Sequence, residues 1–578
     1  GSEMCIRDRY GPFTIVITLI IFSLFRIYSS LWEYAGIEEV FSLIAACLAA
    51  AVAKIVIILF TWSVMPRSWY VLDTIYLMIL IGATRVSYRL IRLRRQNRTF
   101  PWSKRKKVMI IGGGEAGRSL ITEIQNSKYL DQKVVCIIDD DPYKIGRYIK
   151  GVKVVGNRNS IKKSVKKYNV QQIILTIPSA NAAKIRPIVE ICQDTNCELM
   201  ILPGVYQLVN GEVRVSKLRP VNIDDLLGRD EVYVNLNEVM DYVSGRVIMV
   251  TGGGGSIGSE LCRQIAKHSP KQLIIFDIYE NNAYDIQQEL LREQPKLDLV
   301  VLIGSVRDEN RINSIFEQYR PEIIYHAAAH KHVPLMEGSP NEAIKNNVLG
   351  TYNMVRMADK WNAKRFVQIS TDKAVNPTNI MGASKRICEM IIQTYNKESN
   401  TEYVAVRFGN VLGSNGSVIP LFKKQIAEGG PVTVTHPEII RYFMTIPEAV
   451  SLVLQAGAYA KGGEIFVLDM GEPVKILDLA RNMIRLSGYK VDQDIKIEFT
   501  GLRPGEKLYE ELLMDEEGMT DTPNKLIHIG HPIDVDEVKL AHALRVLESA
   551  AQNETDDMRL IVESIVPTYH PKLNKSTQ

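Results

Sequence analysis

Thr371, Asp372 and Lys373 give the sequence its clearest capacity for proton transfer. A hydroxyl, a carboxylate and an amine follow one another there, at the predicted end of the strand "RFVQIST". Met381 and Lys385 come next, on a predicted helix where residues four apart share a face. A thioether has no proton to give, so Met381 cannot act as an acid. These residues are candidates for an acid–base site, the simpler alternative being a surface Asp–Lys pair.

A glycine-rich turn that could hold a dinucleotide lies earlier in the chain, in "RVIMVTGGGGSIGSE". Gly252, Gly255 and Gly258 have the spacing T-G-x-x-G-x-x-G between a predicted strand and a predicted helix. Glycines let a pyrophosphate approach the backbone closely, and the helix N-terminus presents amide groups to its charge. Ser256 and Ile257, at the start of that helix, complete the predicted phosphate loop.

Further predicted cofactor contacts follow the next strands of this unit. Asp277 closes "QLIIFD" and is predicted to bind the adenosine ribose, which favours NAD over NADP. Asp308, in "VVLIGSVRD", is predicted to close the third strand and to contact the adenine. Ala327 and Ala328, in "EIIYHAAAHKHVP", are small enough to let the backbone approach the dinucleotide.

Three histidines of the same segment, His326, His330 and His332, raise the question of a metal site. No carboxylate has a matching spacing. A loop beside the cofactor therefore explains them better than metal ligation, and we predict no metal.

Alternating apolar strands and amphipathic helices from residue 107 onward predict parallel α/β sheets. Gly112, Gly114 and Gly117, followed by the acid-ended strand "VVCIIDDD", predict a first Rossmann-like domain over 105–215. We leave open whether this domain binds a nucleotide or is purely structural. A connector is predicted over 216–244, and a larger catalytic domain with a small C-terminal substrate lobe over 245–578.

The N-terminal part of the 578-residue chain has three long apolar runs, at 12–25, 40–60 and 69–88. Each is near the roughly 20 residues that cross a bilayer as a helix, so we predict about three transmembrane helices over 11–91. The basic block at 92–107 then places both Rossmann-like domains in the cytoplasm, on a multi-pass protein of the inner membrane. Residues 1–10 lack a signal-peptide h-region and are interpreted as a non-native or truncated start.

Composition excludes several other classes of protein. A net charge of +5 is small for this length and local to the basic block, so it does not suggest nucleic acid. The seven cysteines form no C-x-x-C motif, which argues against both a zinc site and a disulfide framework.

The longer motifs of residues 245 to about 530 resemble those of a known family. "TGGGGSIGSE", "HAAAHKHVP", "STDKAVNPTNIMGASKR", "VRFGNVLGSNGSVIPLF" and "GLRPGEKLYEEL" are similar to the UDP-N-acetylglucosamine 4,6-dehydratases of polysaccharide biosynthesis, within the extended short-chain dehydrogenases. The apolar N-terminus and first Rossmann-like unit resemble the large membrane-anchored members. Those members usually have four membrane segments, whereas three are predicted here. Methionine replaces the usual tyrosine at 381, and we interpret it as a marker of this subgroup.

The resemblance implies a hydro-lyase that holds NAD tightly and regenerates it in each cycle. Hydride passes from sugar C4 to NAD⁺, water is eliminated across C5 and C6, and the hydride returns to C6. Asp372 is then the expected acid at O6 and Lys373 the expected base at C5, while Thr371 hydrogen-bonds near O4 and Lys385 binds the nicotinamide ribose. Because a free lysine is mostly protonated, Lys373 must be desolvated or lie beside positive charge, which Lys385 and the nicotinamide could supply.

The resemblance also implies where UDP-N-acetylglucosamine would bind. Arg503 suits its diphosphate because a guanidinium offers a planar fork of donors, and Glu506 is available to the uridine ribose. The further candidates for substrate binding are Lys331, Asn410, Ser417 and Arg441. Kinship favours retention at C5 and a product of xylo configuration, and it predicts a homo-oligomer.

Two alternatives stay open at this stage. A nucleotide-sugar 4-epimerase or reductase would use the same fold, although Asp372 and Lys373 argue against it because epimerization needs neither a C5 base nor an O6 acid. A non-catalytic NAD-binding scaffold at the membrane is supported mainly by Met381.

Overall fold

A computed structural model describes residues 2–25, 27, 37–60, 67–96, 105–127, 130–180, 182–195, 197–202, 216, 218–221, 225, 240–511, 518–530 and 535–571. Most of the predicted connector therefore lies outside the described residues. The chain forms two compact units, Gly1–Lys106 with Tyr129–Lys133, and Lys107–Lys128 with Val134–Gln578.

Three helices make up most of the first unit, where the sequence predicts them: α1 (Ser2–Leu24), α2 (Ile37–Phe60) and α3 (Arg67–Gln96). Phe22 and Leu43 are buried in a small apolar cluster of this unit. Lys54 of α2 donates to Asp73 of α3, with 2.7 Å between Nζ and Oδ2, so an ion pair accompanies the apolar contacts.

The prediction that these helices cross a membrane is wrong. In the described ranges, no helix is both long enough and apolar enough to span a bilayer. Charged residues lie within two of these helices, Lys54 in α2 and Arg67, Asp73 and Arg85 in α3. The prediction of a multi-pass inner-membrane protein, which depended on these spans, is wrong for the same reason.

A mostly parallel seven-stranded sheet begins the second unit, and its strand order is β3-β4-β2-β1-β5-β6-β7. The main strands lie where the apolar runs predict them. The strands are β1 (Lys106–Ile111), β2 (Gln132–Ile138), β3 (Tyr148–Ile149), β4 (Val152–Gly156), β5 (Gln172–Leu175), β6 (Glu198–Ile201) and β7 (Arg219–Pro220). The helices are α4 (Glu115–Asn126), α5 (Ile161–Tyr168) and α6 (Ala182–Gln193).

A nine-stranded sheet follows, in the order β10-β9-β8-β11-β12-β13-β18-β22-β21. Its strands are β8 (Val247–Thr251), β9 (Gln272–Asp277), β10 (Leu299–Ile303), β11 (Ile323–His326), β12 (Arg365–Ile369), β13 (Glu402–Arg407), β18 (Ile465–Leu468), β21 (Met519–Asp521) and β22 (Ile527–Gly530). The order reverses between β8 and β11, and ligands of such sheets bind beyond the carboxyl ends of the strands at that point.

Helices cover both faces of this sheet, and short strands build the lobe beside it. The helices are α7 (Ser256–Ala266), α8 (Glu280–Glu293), α9 (Glu309–Tyr319), α10 (Val333–Gly338), α11 (Pro340–Ala343), α12 (Gly350–Lys360), α13 (Ile380–Glu398), α14 (Val418–Ala427), α15 (Ile446–Tyr459), α16 (Ile476–Leu486), α17 (Glu537–Gln552) and α18 (Met558–Ile565). The short strands are β14 (Asn410–Val411), β15 (Val432–Val434), β16 (Ile440–Arg441), β17 (Phe443–Met444), β19 (Val474–Lys475) and β20 (Ile497–Phe499).

Two apolar cores, one on each face, explain why the central strands are apolar without alternation. Along β8, Ile248 and Val250 belong to the core that includes α7, α8 and α15, whereas Met249 belongs to the core that includes α9, α12, α13 and α17. Successive side chains of a strand point to opposite faces, so a sheet covered on both faces needs apolar residues at every position.

A fully buried carboxylate fixes α13 against the ends of β12 and β13. Glu389 of α13 accepts two hydrogen bonds of 2.7 Å from Arg407 at the end of β13. It also accepts one from Ser370, just after β12 (2.7 Å), and one from Arg386 (2.9 Å). Burial by itself would raise the pKa of Glu389, but the two guanidinium groups and the Ser370 hydroxyl outweigh it and lower that pKa to about 2.

Replacing this carboxylate should destabilise the fold strongly. We expect Glu389→Gln to lower the free energy of unfolding by about 3–5 kcal/mol, because it removes the buried negative charge that the Arg407 guanidinium contacts. Since the pKa of Glu389 is held below its ordinary value of 4.5, the carboxylate stabilises the fold fully above that pH and progressively less as the pH falls toward 2.

Urea denaturation of both proteins at neutral and acidic pH measures this effect. The difference between wild type and variant should shrink as the pH falls below about 4.5. Glu398→Gln, on the exposed end of the same helix, is the matched control and should stay near wild type. A Glu389→Gln protein as stable as wild type at neutral pH would contradict the assignment.

Candidate functional site

The turn after β8 has the tight geometry that a pyrophosphate-binding loop needs. Gly252 has a φ of +64°, and a Cβ there would lie 2.8 Å from the backbone nitrogen of Ala328. A Cβ on Gly258 would collide with the carbonyl oxygen of Gly252. Gly255 precedes the first residue of α7, Ser256, so the free amides of that helix start beside the turn.

Asp277 holds the glycine turn in place from the end of β9. Its Oδ2 accepts from the Gly254 backbone nitrogen (2.8 Å), and its Oδ1 accepts from that of Tyr279 (2.9 Å). An acid bonded to the phosphate loop at this strand end lies where the adenosine ribose of a dinucleotide is expected.

Asp308 has a structural use that spacing alone did not reveal. It stands just before α9, and its Oδ1 accepts from the backbone nitrogen of Arg311 (3.0 Å) as an N-cap. Strand β10 already ends at Ile303, so Asp308 follows the strand by a short loop instead of closing it. Its role as an adenine contact stays a prediction.

A cavity of about 620 Å³ lies at the carboxyl ends of β8, β11 and β12. Most of the predicted site residues line it, from the glycine turn to the strand end and the helix that follows. These are Gly252, Gly255, Ser256, Ile257, Gly258, Ala327, Lys331, Thr371, Lys373, Met381, Lys385, Asn410 and Ser417. His330 and His332 line the same cavity, which places the histidine loop beside the glycine turn.

Thr371, Asp372 and Lys373 form a chain of hydrogen bonds at this end of β12. Thr371 Oγ1 donates to Asp372 Oδ1 (2.8 Å), and Lys373 Nζ donates to the same oxygen (3.0 Å). Asp372 is fully buried, and its Oδ2 has no hydrogen-bond partner among the residues described by the structure. Asp372 Oδ1 thus accepts from both a hydroxyl and an ammonium. Asp372 Oδ2 lies close to Gly409, which lines the cavity: a Cβ added to that glycine would be 3.2 Å from this oxygen.

Burial desolvates Lys373, which is one of the two routes to a lowered pKa that we expected, but its nearest charged neighbours are acids. Burial would lower its pKa, but the carboxylates of Asp372 and Glu510 outweigh burial and raise it, with Arg441 opposing them. The cation whose charge lowers the pKa of Lys373 is Arg441, while Lys385 Nζ donates to the Ile369 carbonyl oxygen (2.9 Å). Before substrate binds, Lys373 is therefore an ammonium held by acids.

Met381 and Lys385 face the cavity from α13, as their spacing predicts. Met381 is buried in the apolar core and offers only its thioether. Burial lowers the pKa of Lys385, with Cys388 and Glu389 partly opposing the shift. Its bond to the end of β12 keeps the amine at the carboxyl edge of the sheet.

His326 is a core residue that hydrogen-bonds to two threonines. Its Nδ1 lies 2.7 Å from Thr251 Oγ1, and its Nε2 lies 3.1 Å from Thr351 Oγ1. Burial, followed by the charge of Lys385, lowers its pKa to about 3, so the ring is neutral. In the described part of the chain, no group of three or more metal-ligating side chains is present.

The predicted substrate residues separate into two groups. Asn410 and Ser417 line the cavity, and Asn410 Oδ1 accepts from Lys373 Nζ (3.4 Å). Arg441 lies outside the cavity lining, and its guanidinium donates to the carbonyl oxygens of Ile440 (2.7 Å) and Lys507 (2.7 Å). It therefore clamps the loop around residue 507.

Arg503 and Glu506 also lie outside the cavity lining. They close one turn, in which the Arg503 backbone nitrogen donates to Glu506 Oε2 (3.1 Å). The Arg503 side chain is exposed, and Glu506 Oε1 lies 3.6 Å from Arg441 Nη2. Their roles with substrate stay predictions.

Glu510 and a loop over the cofactor turn are the features that sequence reasoning missed. Glu510 is buried, and its Oε1 lies 3.8 Å from Lys373 Nζ. Asn415 donates its backbone N–H to Ser256 Oγ (3.2 Å), so the loop that precedes α14 contacts the glycine turn. Glu510 lies in the motif "GLRPGEKLYEEL", which contains three glutamates, and the sequence does not indicate which of them is buried.

Taken together, the residues present fit a dinucleotide. The glycine turn leaves no room for side chains where a pyrophosphate would approach, α7 begins beside that turn, and Asp277 lies where a ribose is expected. Thr371, Lys373 and Lys385 line the same cavity, whereas Asp372 is buried beside it.

Two family models match this chain, and solved structures are similar to part of it. Residues 248–532 match the family model "Polysaccharide biosynthesis protein", and residues 23–203 match the model "CoA-binding domain". A solved structure of DesIV, a dTDP-glucose 4,6-dehydratase from Streptomyces venezuelae with NAD and TYD bound, is 20% identical with a TM-score of 0.41, covering 54% of this chain and 99% of that one.

Two curated relatives match over most of their length. The capsular polysaccharide biosynthesis protein CapD of Staphylococcus aureus is 47% identical over 498 residues, which are 85% of this chain and 82% of the relative. The probable polysaccharide biosynthesis protein EpsC of Bacillus subtilis is 44% identical over 518 residues, 89% of this chain and 85% of the relative. The chain therefore belongs to the family of polysaccharide biosynthesis proteins that includes CapD and EpsC.

Proposed function

We propose that the protein is a hydro-lyase that converts UDP-N-acetylglucosamine into UDP-2-acetamido-2,6-dideoxy-4-keto-hexose with NAD as its cofactor. The product would have the xylo configuration, with retention at C5, and would serve the synthesis of a bacterial surface polysaccharide. Family membership supports the polysaccharide context, and the cavity supports the chemistry.

The observation that carries this proposal is the ion pair between the buried Asp372 and Lys373, which lines the cavity that also contains the glycine turn. Dehydration needs a base at C5 and an acid at the departing O6 hydroxyl, in addition to a group that takes the O4 proton. An epimerase needs only the last of these. A carboxylate and an amine 3.0 Å apart therefore favour dehydration over epimerization.

Bound NAD would supply the hydride acceptor for C4 and the hydride donor for C6. Among the residues of this chain, Thr371 is placed to pass the O4 proton to Asp372, since its hydroxyl already donates to Oδ1 (2.8 Å). Asp372 then carries the proton that the O6 hydroxyl needs in order to leave as water. Met381 takes no part in this relay, because a thioether neither gives nor firmly accepts a proton.

Protonation of Asp372 would also prepare Lys373. The Asp372 carboxylate is the anion nearest to the ammonium, so neutralising it lowers the pKa of Lys373 and favours the amine that takes the C5 proton. The O4 proton thus produces the acid of the elimination, and loss of the Lys373 ammonium proton to solvent, made easier by that step, produces the base. Lys385 would hold the nicotinamide ribose from α13.

The proposed reaction predicts a specific product. Purified protein given UDP-N-acetylglucosamine and NAD should form a sugar nucleotide lighter by one water, detected by mass spectrometry. Lys373→Ala should reduce the rate by about 100-fold or more, as removal of a positioned general base does. Lys424→Ala, at an exposed position of α14, is the control and should keep the wild-type rate.

Solvent deuterium distinguishes this reaction from its alternatives. Dehydration should place deuterium at C5 of the product, detected by NMR. A 4-epimerized sugar of unchanged mass would identify an epimerase. Unchanged sugar in the presence of bound NAD would identify a binding protein, and either result would refute the proposal.

A second prediction tests the cofactor turn. Gly258→Ala should weaken NAD binding by at least about tenfold, because its Cβ collides with the Gly252 carbonyl oxygen and displaces the turn. Gly338→Ala is the matched control, since no atom lies within 4 Å of a Cβ built there. Calorimetric titration with NAD measures both, and wild-type affinity in Gly258→Ala would show that the turn does not hold the cofactor.

A further inference from the structure

The geometry points to Glu510 as a positioning residue for Lys373: its carboxylate and that of Asp372 hold the Lys373 ammonium between them at the edge of the cavity. Glu510 belongs to the loop between β20 and β21, so the substrate lobe supplies this second acid. Its effect on turnover rests on the proposed function, whereas its effect on Lys373 does not.

Glu510 is buried, and its carboxylate lies close to two cations, Lys373 and Arg441. Its side chain is 4% exposed, and its Oε1 lies 3.8 Å from Lys373 Nζ and 3.6 Å from Arg441 Nε. Its Oε2 is buried and has no hydrogen-bond partner within the described part of the chain. A carboxylate that was buried only for stability would be expected to satisfy both of its oxygens.

Arg441 holds the segment that leads to Glu510 in place within the lobe. Its guanidinium is held by the carbonyl oxygens of Ile440, Lys507 and Leu508, so it cannot follow Glu510 if that residue moves. Glu510 is thereby kept near Lys373 without a direct hydrogen bond to it. This arrangement acts on the ammonium through charge and leaves its hydrogens to Asp372 and Asn410.

The charged groups around the Lys373 ammonium belong to the strand end that carries it and to the substrate lobe. Asp372 and Glu510 face Lys373 as anions and Arg441 faces it as a cation, while Glu506 and Lys507 lie in the same loop as Glu510. Burial raises the pKa of Glu510, Asp372 raises it further, and Lys373, Arg441 and Lys507 oppose the rise. Removing the Glu510 charge should therefore make Lys373 lose its proton more readily.

Labelling with acetic anhydride tests this in the full-length protein without any need for turnover. Only the neutral amine reacts, so acetylation of Lys373, measured by mass spectrometry of peptides against the exposed Lys424 across a range of pH, reports its protonation. At pH 8 we expect Glu510→Gln to raise the acetylation of Lys373 relative to Lys424 by about tenfold, which corresponds to one pKa unit.

Glu511→Gln is the matched control, because it removes the same charge one residue away. Glu511 is exposed and contacts Asn376 and Lys507, so Lys373 should react as in wild type. Glu510→Asp keeps the charge and should restore most of the protection. Unchanged labelling in Glu510→Gln, or equal effects of both Gln variants, would overturn the inference.

Two further measurements keep the inference testable if Glu510→Gln folds poorly or if no product forms. In the wild-type protein alone, Lys373 should become reactive at higher pH than Lys424, and the opposite order would overturn the inference. Where product does form, the acidic limb of the pH–rate profile should move to lower pH in Glu510→Gln and stay fixed in Glu511→Gln. Absence of product refutes the proposed function and leaves the labelling result to decide the role of Glu510.

Discussion

The buried carboxylate of Glu389 is the constraint on which the site depends. It joins α13 to the ends of β12 and β13 through Ser370 and Arg407. Ser370 immediately precedes Thr371, so the hydrogen bond between Ser370 and Glu389 fixes the position of α13 along the end of β12. Lys385, one helical turn before Glu389, is fixed by the same anchor and donates to the carbonyl oxygen of Ile369. Buried ion pairs contribute little net stability, but they favour one register among several, which is what a site shared by a strand and a helix needs.

Much of this architecture could be predicted because it is encoded locally. The apolar runs predict where the strands lie, and the glycines of both turns predict the strand–turn–helix units. Because the strands are parallel, Thr371, Ala327 and Gly252 then lie at the same edge of one sheet. The four-residue spacing of Met381 and Lys385 correctly places both at the cavity. The three N-terminal apolar runs also predict helices correctly, but no described helix is long and apolar enough to span a bilayer, and Lys54 and Asp73 form an ion pair between α2 and α3.

The rest of the site depends on contacts between residues distant in sequence. Whether Arg441 faces a ligand or clamps a loop is decided by carbonyl groups near residue 507, which no pattern around residue 441 reveals. Asp308 looks like a strand-end acid until the strand is seen to end earlier. Glu510 reaches Lys373 only after the lobe has folded against the sheet, and the same contact explains why the lysine is held as an ammonium and not repelled by neighbouring cations.

The bond between Asn415 and Ser256 links the two halves of the cavity. It connects the loop that precedes α14, in the substrate lobe, to Ser256, the first residue of α7. The ring of His332 packs against Gly416 in the same loop. Any movement of this loop away from α7 has to break that bond. In the proposed reaction, the part of the cavity that would hold the cofactor and the loop of the substrate lobe would therefore be tied together while NAD stores the hydride.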